Sequence, residues 1–154
     1  MAALRESRRR LLLSLPLAAL SNAASAAPAW SIAAAGRAGV GFQPRFAGAS
    51  LWTASADGTV IRVDPRDGST VWRRDVGTRL SAGVGSDGTR AVVAGRDGSV
   101  LLLDADGRTR WTVPLGAEVI TPPAIAQDVV VVRTGDNRLI ALDADDGRRL
   151  WTFQ

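Results

Sequence analysis

Carboxylates are the main chemically useful side chains left in this sequence, because its 154 residues include no His and no Cys. That double absence removes the commonest general base, the imidazole and thiolate metal ligands, the thiol nucleophile and any disulfide. The most suggestive acidic run is Asp143-Ala144-Asp145-Asp146-Gly147. A calcium-binding EF-hand loop takes oxygen ligands from positions 1, 3 and 5, with Gly at 6 and Glu at 12. Counted from Asp143, position 5 is Gly147 and position 6 is Arg148, so the register fails. The aspartates are expected to accept hydrogen bonds from their own turn backbones. No acid and base are brought together in a common pocket by any motif, which points to binding rather than catalysis.

The net charge of +4 is concentrated at the start of the chain, where Arg5, Arg8, Arg9 and Arg10 outweigh Glu6. Beyond it, arginines and acids interleave, as on a solvated surface rather than a nucleic-acid footprint. The basic start, the apolar run Leu11 to Leu20 and the small residues Ala24-Ser25-Ala26 read as a signal peptide over residues 1–26. The apolar run is too short to cross a hydrocarbon core, which needs roughly 20 residues. Ser7-Arg8-Arg9-Arg10-Leu11-Leu12 also resembles a twin-arginine signal. Either route leads out of the cytoplasm.

The elements that position the remaining residues come as repeats. Trp72, Trp111 and Trp151 are separated by 39 and 40 residues, and the turn pairs Asp57-Gly58, Asp97-Gly98 and Asp136-Asn137 by 40 and 39. Three units align, Leu51 to Val76, Ala91 to Leu115 and Val129 to Gln154. Each opens with an apolar strand and passes through the Asp-Gly or Asp-Asn pair, which suits a two-residue hairpin with positive φ at both central positions. The next strand is Thr59 to Val63, Ser99 to Leu103 or Arg138 to Leu142. A turn from Asp64, Asp104 or Asp143 to Gly68, Gly107 or Gly147 then leads into the tryptophan strand. Val84 to Gly85 and Pro123 to Ala126 are placed as a fourth strand. Val100 to Leu103 and Val129 to Val132 are apolar without alternation, which predicts burial on both faces. Four short strands about every 40 residues make a propeller blade. The fold class is therefore all-β, a partial β-propeller of about three four-stranded antiparallel blades over residues 39–154, after a lead-in at 27–38.

The A-x-D-x-x-x-G-x-x-x-W pattern, complete at Ala141, Asp143, Gly147 and Trp151, resembles the repeat of pyrroloquinoline-quinone-enzyme-type propellers. That resemblance implies a tryptophan docked on the neighbouring blade. Between the repeats, Leu80 to Gly88, Glu118 to Ala124, Val131 to Asp136 and Trp151 to Gln154 look like the N-terminal part of the outer-membrane protein assembly factor B family. The likeness covers residues 29–154. It implies an eight-bladed ring and a non-enzymatic periplasmic scaffold at the inner face of the outer membrane, assisting insertion of β-barrel proteins. The implied partners are the periplasmic domains of the assembly machinery's central barrel protein and unfolded outer-membrane proteins, with no nucleic acid and no cofactor. The alternatives are a generic exported propeller that binds an unknown ligand, or a fragment of a quinone-dependent dehydrogenase. Against the latter, three blades do not enclose a central cofactor, and the vicinal cysteine pair of many such enzymes is absent.

The sequence departs from the family in two ways. The lipidated Cys expected near Asn22 is missing, so attachment to the membrane would come through a partner, or the gene start differs. The family's partner contacts would fall after Gln154, so no binding residue carries over. Three blades would also expose the apolar faces of the first and last, and the 154-residue chain is expected to be marginal, aggregation-prone or self-associating.

Overall fold

The computed structural model describes residues 30–32 and 41–154. The signal peptide read at 1–26, and all of the lead-in except Trp30 to Ile32, lie outside the described residues. Those described form twelve strands and no helix. The first sheet orders β1 (Arg45–Ala47), β2 (Ser50–Ala54), β3 (Thr59–Val63) and β4 (Thr70–Asp75). The second orders β5 (Gly85–Ser86), β6 (Ala91–Ala94), β7 (Ser99–Leu103) and β8 (Thr109–Pro114). The third orders β9 (Ala124–Ala126), β10 (Val129–Arg133), β11 (Leu139–Asp143) and β12 (Arg149–Phe153). Every pairing is antiparallel. The three sheets are the blades of a partial β-propeller, the fold class expected from the repeat.

Each blade carries the same irregularity. The pairing of its last two strands shifts register after Arg62, Leu102 or Ala141, each of which stands opposite its blade's tryptophan. Such bulges sharpen the twist of a strand pair, which a blade needs. The inner hairpin differs from expectation. Gly58, Gly98 and Asn137 take positive φ (103°, 81° and 68°), whereas Asp57, Asp97 and Asp136 do not. The turn is closed by hydrogen bonds from the N–H of Gly58 to the Ser55 carbonyl and from the N–H of Ser55 to the Thr59 carbonyl. Gly95 to Ser99 and Thr134 to Arg138 repeat both bonds. This is a three-residue hairpin loop with its left-handed residue last, not a two-residue turn.

Two apolar layers join the blades. Trp52, Ala54, Val60 and Trp72 of the first pack on Ala91, Val93, Leu101 and Leu103 of the second. Val92, Ala94, Val100 and Leu102 of the second pack on Val130, Val132, Ile140 and Leu142 of the third. All five residues of β7 are accordingly buried. In β10, by contrast, only Val130 and Val132 are, while Val129 and Val131 are half-exposed. The two-sided burial expected of that strand fails because, among the described residues, a blade packs on one of its faces only. The first blade differs again. Its outward residues Leu51, Ile61 and Val63 are buried under Trp30 and Ile32, so the lead-in covers a face expected to lie open.

Candidate functional site

The repeat residues meet at the junctions between blades. Trp72 of β4 donates its indole N–H to the Ala105 carbonyl of the second blade at 2.8 Å. Trp111 of β8 does the same to Ala144 of the third at 3.0 Å, and Trp30 to Pro65 of the first at 3.0 Å. Beside each acceptor stands the glycine of the outer turn. A β-carbon on Gly68 would lie 2.6 Å from the Trp30 ring, and one on Gly107 or Gly147 would lie 2.9 Å from the ring of Trp72 or Trp111. These glycines have φ of 74° to 76° and donate their N–H to the carbonyl of Asp64, Asp104 or Asp143. Each therefore does two things: it turns the chain left-handed and leaves a bare seat for the indole of the preceding unit. Trp151 has no seat among the described residues and is 48 % exposed.

The acidic side chains serve their own turns. Asp57 and Asp97 accept the N–H of Thr59 and Ser99 at 3.0 Å. Asp64, Asp104 and Asp143 accept the N–H two residues on, from Arg66, Asp106 and Asp145, at 2.9 Å each. Asp136 accepts from the Thr134 hydroxyl and pairs with Arg138. The Arg66 guanidinium, together with the Arg66 N–H, pulls Asp64 down to about 2. The Ser99 hydroxyl and N–H lower Asp97, the N–H of Arg108 lowers Asp104, and Arg138 with the Thr134 hydroxyl lowers Asp136. Every aspartate with a resolved shift thus moves away from neutrality, opposite to what a general acid needs. No group of three or more acidic side chains converges as a metal site among the described residues.

Arginines cross the junctions as well. Arg62 donates to the Ser50 hydroxyl at 2.9 Å and to the Ala105 carbonyl at 3.1 Å, and its guanidinium lies 5.1 Å from the centre of the Trp52 ring. The buried Trp52 ring meets Trp72 edge-on at 5.6 Å and leaves its own N–H unpaired. Arg90, held by Asp87 at 2.8 Å, reaches the Gln127 carbonyl and lies 3.7 Å from Asp145 of the third blade. It borders a cleft of about 270 Å³ between the second and third blades, also lined by Asp104, Ala105, Arg110 and Ala144. Sequence reasoning missed Trp30, Trp52, Arg62 and Arg90. Trp30 lies 42 residues before Trp72, close enough to the period to have flagged it; the others carry no sequence signal of their own. Among the described residues, the exposed large apolar side chains are Phe46 and Val71 of the first blade, Ile120 in the link before the third, and Leu139, Leu150, Trp151 and Phe153 of the third.

The family model described as outer membrane protein assembly factor BamB matches residues 56–154. The chain belongs to the BamB family. Its relatives include BamB of Bordetella pertussis, 38 % identical over 126 residues that cover 82 % of this chain and 33 % of the relative. BamB of Nitrosomonas eutropha is 35 % identical over 138 residues, covering 90 % and 34 %. The chain therefore spans about a third of the length of these BamB proteins. Among solved structures, BamB from Moraxella catarrhalis superposes with a TM-score of 0.66 at 29 % identity, over 72 % of this chain and 34 % of that one. A quinohemoprotein alcohol dehydrogenase from Comamonas testosteroni gives 0.64 at 20 % identity, over 75 % and 21 %, a likeness of fold alone. No helix among the described residues is long and apolar enough to cross a membrane.

Proposed function

We propose that this chain is a non-enzymatic scaffold of the β-barrel assembly machinery. In this reading it works in the periplasm at the inner face of the outer membrane and assists the assembly and insertion of outer-membrane β-barrel proteins. Its partners are the periplasmic domains of the machinery's central barrel protein, with unfolded outer-membrane proteins as clients. The observation that carries the reading is the BamB family match across residues 56–154, joined to relatives whose name is that of an outer membrane protein assembly factor. Two physical features support it. Among the described residues, the repeat aspartates Asp57, Asp64, Asp97, Asp104 and Asp143 accept hydrogen bonds within their own turns. The outer edge strand β12 runs along the surface with all five residues exposed, and an edge of that kind accepts an extended segment by strand addition.

The test is affinity capture. The purified chain, tagged at Gln154, should enrich the central barrel protein from a detergent extract of outer membranes above a tag-only control. Absence of enrichment would sink the scaffold role and leave a generic exported propeller module. A separate assay supplies pyrroloquinoline quinone, calcium, an alcohol and a reducible dye; the expected result is no reduction above background.

A further inference from the structure

The two junctions between blades are built alike and filled differently. Each is plugged by one tryptophan, Trp72 over Gly107 and Trp111 over Gly147. The first junction also holds a guanidinium. Arg62 of β3 lies over the Trp52 ring, donates to the Ser50 hydroxyl and adds a second donor to the Ala105 carbonyl that Trp72 already bonds. In the next unit Leu102 holds the place of Arg62, because each stands opposite its tryptophan. Arg90 holds the place of Ser50, one residue before the pair Ala91–Leu103 that matches Leu51–Val63. Ala144 holds the place of Ala105, as the acceptor of the Trp111 indole. All three line the cleft of about 270 Å³ between the second and third blades.

A leucine ends short of where a guanidinium would reach, and the arginine of this junction is held elsewhere. Arg90 is fixed by Asp87 at 2.8 Å and turns its other nitrogens to the Gln127 carbonyl and, at 3.7 Å, to Asp145. The Ala144 carbonyl has two lone pairs and takes only the Trp111 indole among the described residues. Asp104 and Asp145 bring two carboxylates to the cleft, against the paired Arg90 and the exposed Arg110. We propose that this cleft is a socket for an arginine side chain of a partner protein, whose guanidinium donates to the Ala144 carbonyl and pairs with Asp145. A planar guanidinium with five N–H donors serves both acceptors at once, while its apolar stem lies against Leu102 and Ala105. Arg62 identifies the occupant: it is the chain's own filling of the same groove one junction earlier. The socket belongs to the fold and not to the assembly role, so either can fail alone.

NMR titration of the isotope-labelled 154-residue chain with N-acetyl-arginine-methylamide tests the socket. Saturable shifts are expected at the amides of Ala105, Ala144 and Asp145. The equally capped citrulline, which has the shape without the charge, should give none. Leu102→Arg supplies the guanidinium from within, as Arg62 does, and should abolish the shifts in a folded chain. Arg110→Val copies Val71 of the first unit and removes an opposing charge, so binding should tighten about threefold. Asp145→Asn, at an exposed position, should weaken it about threefold. No shift at these amides from capped arginine overturns the proposal, as does a folded Leu102→Arg chain that binds like wild type. Equal shifts from citrulline, saturable shifts from sulfate, or binding of free arginine without the capped form also overturn it. Should Leu102→Arg fail to fold, as its spectrum would show, unchanged binding in both Arg110→Val and Asp145→Asn overturns the proposal instead.

Discussion

An indole N–H buried without an acceptor costs about 1–3 kcal/mol, and Trp30, Trp72 and Trp111 each meet a backbone carbonyl of the next unit instead. Ring and hydrogen bond are separable by substitution. Trp72→Phe should lose only about 1 kcal/mol, because the Ala105 carbonyl keeps Arg62 as a donor. Trp72→Ala should lose about 3–5 kcal/mol with the ring. Gly107→Ala attacks the same contact from the other side, and left-handed strain plus the clash with the ring should cost about 2–4 kcal/mol. Trp151→Ala, unseated, should change the stability of the monomer by no more than about 0.5 kcal/mol. Urea unfolding followed by circular dichroism orders all four, and an equal loss at Trp72 and Trp151 would contradict the seat geometry.

At the scale of the strand and turn, the aspartates tie stability to acid. The folded state holds Asp64 at about 2 against an ordinary 3.8, and Asp97, Asp104 and Asp136 are shifted the same way. A carboxylate lowered by folding stabilises the fold while ionised. Its contribution is complete above the ordinary value and disappears as pH falls through the lowered one. The melting temperature should therefore be level from about pH 7 to 5 and fall between about pH 4 and 2, with Asp64→Asn flattening part of that fall. Most of the strands and the spacing of Trp72, Trp111 and Trp151 were legible in sequence because period and turn residues report local geometry, whereas β1 (Arg45–Ala47) lies before the first repeat unit and was not read. The form of the inner turn was not, since a two-residue and a three-residue loop can both place Gly58 just before β3. They differ only in where the ladder stops, here at Ser55. The run Val129 to Val132 misled for another reason: residue type suits both faces of a strand, while burial depends on which blades are beside it. The Gly68, Gly107 and Gly147 seats were read as turn residues alone, because the ring that fills each one comes from a different repeat.

For the whole molecule, stability is a sum over blades and the contacts between neighbours. The second blade is covered on both faces, so amide exchange should be slowest in β6 and β7 and fastest in β12, with the third blade opening first. If an unfolded client pairs with β12, its addition should slow exchange there and nowhere in β6. The seat precedes the plug within every unit, and Gly77 and Gly116, which open the links between units, share a φ of 76°. Units are consequently interchangeable: any one can follow any other without a change of register. Deleting residues 77–115 as a single cassette should leave a shorter polypeptide in which Trp72 bonds the Ala144 carbonyl in place of Ala105. Gene duplication could lengthen such a protein by the same step, one blade at a time, each seated on its neighbour.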